Sequence, residues 1–210
     1  VPNEIENHIE EHIGKISFVY HEIVSDEIHL DVYVVGPSEK RNIYTLVTYG
    51  MSERPMAAPT GKDGYRFAEL VLSLPATWPL TQEDMQSEEI YWPVKWLKII
   101  ARLPHDQNTW VSFGHTVPNG APPKPFSSNT KQCCWIMSFP LLFGRQFGSW
   151  KVDELKTINF FSLISIYKEE LDFKLKKGAK PLIERLLRNK VNEVINVNRE
   201  NVCKKRFGIF

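Results

Sequence analysis

Between Ile16 and Pro75 the sequence sets four β-rich runs one after another, and that succession narrows the possible folds more than any other feature. The runs are "ISFVYHEIV", "EIHLDVYVVG", "NIYTLVTYG" and "YRFAELVLSLP". Side chains alternate across an extended chain, so Ile28, Leu30, Val32 and Val34 fall on one face of the second run. Short connections suit antiparallel neighbours, because a parallel return needs a crossover of a dozen residues or more. The pattern predicts an antiparallel meander, with Ser25 and Asp26 as the turn of its first hairpin.

Helical spacing brackets this block. Ile5, Ile9 and Ile13 recur at every fourth position and predict a first helix that stops at Gly14. "WPVKWLKIIARLP" predicts a second, with Pro93 at the first helical position and Pro104 as its stop. Trp92, Trp96, Ile99, Ile100 and Leu103 form its apolar stripe. "TWVSFGHTVPNG", "CCWIMSFPLLFG" and "INFFSLISIY" read as further strands. "KEELDFKLKKG" places acids first, lysines last and Gly178 at the stop, as a helix dipole and a left-handed cap favour. A last helix restarts around Pro181 with Leu182, Ile183, Leu186 and Leu187. Together these predict an α+β fold in one domain over residues 1–210, its mixed, mostly antiparallel sheet flanked by helices.

Several function classes are disfavoured at once. The chain carries 26 basic and 25 acidic residues, a net charge of +1, so it has no general electrostatic pull toward nucleic acid or an acidic membrane. It contains no apolar run long enough to span a bilayer. Its first residues, "VPNEIENHIEEHIGK", lack the basic start and apolar core of a signal peptide. Three cysteines are an odd number and argue against a disulfide framework, which points to a reducing cytoplasm. No glycine-rich phosphate loop is present, and no cofactor is expected.

Two clusters invite catalysis. In "HEIVSDEIHLD", His29 and Asp31 project to the same side of one strand, and a hairpin could bring His21 or Glu22 across to them. That would make a His/carboxylate metal site for a metal-dependent hydrolase. Alternation alone also explains these residues as the polar face of a strand. "LPHDQNTWVSFGHTVPNG" holds His105, Asp106, Asn108, Thr109 and His115, and a histidine, an aspartate and a nearby serine invite a hydrolase reading, but no G-x-S-x-G elbow accompanies them. Asp106 and Asn108 equally suit turn and cap positions.

The loops raise a different possibility. In "YTLVTYGMSERPM" a strand breaks at Gly50 and two methionines follow within a polar turn. Tyr49, Met51, Arg54, Met56, Trp78, Phe147 and Trp150 are the candidate partner-binding residues. Methionine adapts its shape to a partner and tryptophan anchors interfaces. The competing reading folds the same side chains back over the sheet as part of the core.

The segments "YTLVTYGMSERPM", "YRFAELVLSLP", "WPVKWLKIIARLPHDQNTWVSFGHTVPNG" and "ISIYKEELDFKLKKG" together resemble the suppressor of fused domain family. With "HEIVSDEIHLDVYVV" they extend in that family's order from about Tyr20 to Asn201, and the likeness is to its compact bacterial members. The resemblance implies a binding domain without catalysis or a cofactor. Its partner would be another protein, either a toxin domain or an extended peptide. The bacterial members act as immunity proteins that neutralise polymorphic toxins by direct binding. The animal relative is a regulator that holds a peptide of a transcription factor. The family positions Gly50, Met51, Ser52, Pro55, Met56, Trp92, Pro93, His115 and Asn119 carry either contacts or architecture.

Overall fold

A computed structural model describes residues 2–21 and 28–204. The first four strands form the expected meander: β1 (Ile16–Tyr20), β2 (Asp31–Val35), β3 (Ile43–Tyr49) and β4 (Phe67–Pro75) pair antiparallel in chain order. The turn expected at Ser25 and Asp26 lies outside the described residues. The sheet then continues with strands from the second half of the chain. These are β5 (Thr116–Pro118), β6 (Cys134–Ser138), β7 (Ser149–Lys151) and β8 (Thr157–Ile166). Its order is β1-β2-β3-β4-β8-β6-β5, with β7 also on β8. Among the strand pairs of the described residues only β4–β8 is parallel, so the sheet is mixed and mostly antiparallel, and the fold is α+β as expected.

Both faces of the sheet are covered. Leu30, Val32, Leu46, Leu70, Leu72, Trp135 and Phe161 line the first face, under α2 (Glu88–Asp106) with Trp92, Leu97 and Ile100. The opposite face is shared. Val47, Val71 and Phe160 meet α1 (Pro2–His12) and α3 (Gly144–Phe147) at one half. Ile136, Ile164 and Ile166 meet α4 (Lys168–Lys177) and α5 (Ala179–Arg188) at the other. All five residues of β2 are buried, so its alternation sorts side chains between two apolar layers rather than between core and water.

The second helix departs from its expected limits. It runs from Glu88 to Asp106, with Pro93 and Pro104 both inside. A proline within a helix leaves the carbonyl four residues earlier without its donor. For Pro93 that carbonyl belongs to Glu89, and Asn129 Nδ2 donates to it at 2.8 Å. Beyond Pro104 the helix closes with Gln107 N–H donating to the Leu103 carbonyl at 3.0 Å. The buried stripe also differs: Leu97 and Ala101 lie inward, whereas Ile99 is exposed. "TWVSFGHTVPNG" is extended strand only at Thr116–Pro118; the residues before it turn, with Gly114 N–H donating to the Met137 carbonyl.

Candidate functional site

The Gly50–Met56 turn is a corner of the fold. Gly50 has φ +116°, and a Cβ there would stand 1.9 Å from the His29 carbonyl oxygen, so only glycine lets the two backbones pass. Beneath the turn lies Glu69 on β4, fully buried. Its Oε1 accepts the Gly50 N–H at 3.1 Å and the Ser52 N–H at 2.9 Å. Its Oε2 meets the Thr48 hydroxyl at 2.6 Å, and the same Thr48 Oγ1 accepts the Leu70 N–H at 2.8 Å. Burial pushes the Glu69 carboxyl up to about 7 against the pull of these donors. Across the turn, His105 Nε2–H donates to the Met51 carbonyl at 3.0 Å.

This geometry corrects part of the expected partner surface. Met51 and Met56 are buried in the same apolar cluster as Leu70, Trp92 and Val111, and Phe147 in that of Ile9 and Phe160, on whose ring it packs. A side chain with no exposed surface offers no contact to a partner, so these three are core residues. The loop sequence misleads because burial is imposed from outside it, by β4, α1 and α2.

Tyr49, Arg54, Trp78 and Trp150 keep exposed surface, but they do not share one patch. Tyr49 ends β3 and stacks on Tyr33 at 5.5 Å. Trp78 follows the far end of β4, where Pro75 pairs with Ile43, and donates its indole N–H to the Ile90 carbonyl. Six strand residues at about 3.3 Å each put these two aromatics about 20 Å apart along the sheet. Trp150 lies on β7, stacked at 5.6 Å on His8, whose Nε2–H donates to the Phe147 carbonyl.

His21, His29 and Asp31 do come together. The Asp31 carboxylate takes His21 Nδ1 at 3.0 Å on one oxygen and His29 Nε2 at 3.1 Å on the other. Asp31 is nearly buried and the two imidazoles are largely exposed, so one carboxylate clamps both rings. Among the described residues, no group of three or more His, Cys, Asp and Glu side chains could hold a metal ion. Glu22, Asp26 and Glu27 lie outside the described residues. The second cluster separates: His105 serves the Met51 carbonyl, Asp106 faces solvent and His115 packs edge-on against Trp110 at 4.7 Å. Cys133 and Cys134 are buried free thiols, pushed above the usual range by burial.

Two further acids, Glu170 and Glu193, are buried. Glu193 accepts the Leu141 and Leu142 N–H groups at 2.7 and 2.9 Å. Glu170 holds the Arg199 guanidinium through both oxygens at 2.8 and 2.5 Å and accepts the Val202 N–H, while Arg199 lies over the Tyr167 ring. The signal was present in "NEVINVNRENV", a polar stretch too rich in chain-turning asparagines for a plain tail. Between α5 and Lys204 this stretch borders an open groove of about 1320 Å³ that Trp78 also lines. A second recess of about 420 Å³ lies between β1 and α2, lined by Tyr20, Met85, Tyr91 and Val94. No helix among the described residues is long and apolar enough to cross a membrane.

Glu69, Glu170, Glu193 and His105 hold turns and strands, and Asp31 holds His21 and His29, all within one α+β scaffold. The chain belongs to the suppressor of fused protein (SUFU) family, whose profile matches residues 26–200. A crystallised SUFU homologue from Neisseria gonorrhoeae has the same fold at TM-score 0.69 and 15% identity, with 97% of each chain covered. The crystal structure of the Sufu–Fu complex matches at TM-score 0.67 and 16% identity, over 95% of this chain and 91% of the other. Drosophila Suppressor of Fused matches at TM-score 0.65 and 14% identity, where this chain, 94% covered, spans 50% of the fly protein. No curated protein matches the sequence.

Proposed function

We propose that this chain is a non-catalytic protein-binding domain that works as a bacterial immunity protein, neutralising a toxin in the cytoplasm by direct contact. The observation that carries the reading is family membership together with the likeness to a SUFU chain solved in complex with a protein, Fu. The likeness to a Neisseria homologue over nearly the full length of both chains supports a bacterial setting. Physically, β1 and β5 end the sheet, and a partner segment could extend either by strand addition. Exposed Phe139, stacked on Phe113 at 5.0 Å, offers an aromatic anchor at the β6 end.

The test is co-expression with the toxin encoded beside the gene. The expected result is a stable complex on gel filtration and rescue of growth. Absence of both, with the protein folded by circular dichroism, would refute the immunity reading.

A further inference from the structure

We propose that the groove bordered by residues 189–204 takes a short acidic segment of a partner polypeptide. This deepens the protein-binding reading and rests on it.

The groove wall is preorganised. After α5 the chain is laid back on the sheet, with Ser73 N–H donating to the Glu193 carbonyl and Ile195 N–H donating to the Ser73 carbonyl at 2.9 Å. The buried Glu193 carboxylate and the Glu170–Arg199 pair pin the same stretch at two more points. A ligand meeting a wall fixed in advance avoids much of the ordering cost of binding.

Its size favours a chain segment. About 1320 Å³ exceeds the roughly 300–1,000 Å³ of a site for one small molecule. Its chemistry favours acceptors. Asn192 Oδ1 accepts the Val194 N–H and Asn196 Oδ1 accepts the Asn198 N–H, both at 3.0 Å. Each oxygen is thereby committed, and each Nδ2 remains a donor with no partner among the described residues.

Charge points the same way. Arg199 is cancelled by Glu170, which leaves Arg185, Lys190 and Lys204 on the lining against the single acid Glu200. Arg185 is explained without a ligand, because it sits in the last turn of α5 and lies over the Phe173 ring. Lys190, at the left-handed position that closes α5, and Lys204 keep their ammonium groups unpaired among the described residues. Both are exposed and make no ion pair among the described residues, and Lys190 holds its place beyond the helix cap at φ +59°. Free amide donors and two unspent ammonium groups on a fixed wall match carboxylates on an extended peptide.

The probe is a short fluorescein-labelled peptide of alternating glutamate and glycine, with its glutamine counterpart as control. Both are titrated into the full chain at low salt and followed by anisotropy and by amide chemical shifts. The acidic peptide is expected to bind at least about tenfold more tightly than the glutamine peptide. Its shift changes should be confined to residues 189–204, Thr77, Arg185 and the Trp78 indole. The K190E/K204E variant should lose that preference while melting like the parent. Equal binding of the two peptides, no binding, or shifts elsewhere would overturn the proposal. Co-purification with the neighbouring toxin separates the two readings. If parent and K190E/K204E capture it equally, the groove assignment falls and the protein-binding reading stands. If the acidic peptide binds in the groove but no toxin is captured, the groove assignment stands and the immunity reading falls.

Discussion

Glu69 sits where two forces on one carboxyl oppose each other, and a titration of stability decides between them. Complete burial favours the neutral acid, while the Gly50 and Ser52 N–H groups and the Thr48 hydroxyl favour the carboxylate. The neutral form loses little contact: Oε1 keeps both backbone donors, and a proton on Oε2 can be given to Thr48 Oγ1 at 2.6 Å. Burial therefore wins, and the folded protein holds this proton to about pH 7 against an ordinary value of 4.5. Between those limits the folded state binds more protons than the unfolded chain, so stability falls as pH rises. At about 1.4 kcal/mol per unit, the loss attributable to this group is on the order of 3 kcal/mol, fully present below pH 4.5 and gone above pH 7. Glu69→Gln reproduces the neutral geometry and cannot ionise. Urea unfolding followed by tryptophan fluorescence from pH 4 to 8 on both proteins isolates the effect. The parent should match the variant at the acid end and fall about 3 kcal/mol below it above pH 7. A constant difference, or a parent that gains on the variant as pH rises, would show that the donors hold a charged carboxylate in place and would refute the reasoning.

Other perturbations read different parts of the molecule. Gly50→Ala should cost at least about 3 kcal/mol, or abolish soluble expression, because its Cβ meets the His29 carbonyl at 1.9 Å; a urea midpoint within error of the parent would contradict this. Phe147→Ala and Met51→Ala should each cost about 2–5 kcal/mol by opening core cavities. Arg54→Ala, on the exposed side of the same turn as Met51, should change stability by under about 0.5 kcal/mol. Arg199→Ala should cost about 3–5 kcal/mol by stranding the Glu170 charge, and Glu170→Gln in the same chain should recover part of that loss in thermal melts.

The meander was legible because strand alternation is written locally, and so were α1, α4 and α5, whose spacing and caps lie within a few residues of each element. The limits of α2 were not. Pro93 and Pro104 read as punctuation, and the group that relieves Pro93 is Asn129, far along the chain. Met51, Met56 and Phe147 were misplaced for the same reason, since nothing in a loop says which elements close over it. The burial of Glu69 is hidden because alternation puts it opposite Ala68 and Leu70, where an acid normally means solvent; here that side carries a second apolar layer. His21, His29 and Asp31 show the opposite balance: their proximity was foreseen, and only the structure shows the shared hydrogen bonds.

The parallel pairing of β4 with β8 has a bearing on how the chain reaches this state. Strand β4 finds β8 only after everything from Ala76 to Lys156 has been synthesised, so the sheet's central seam closes late. Until then the first meander presents Leu70, Val71 and Leu72 along an open margin, the kind of edge on which unfinished chains aggregate. Truncation before Thr157 should therefore yield insoluble material rather than a smaller working domain.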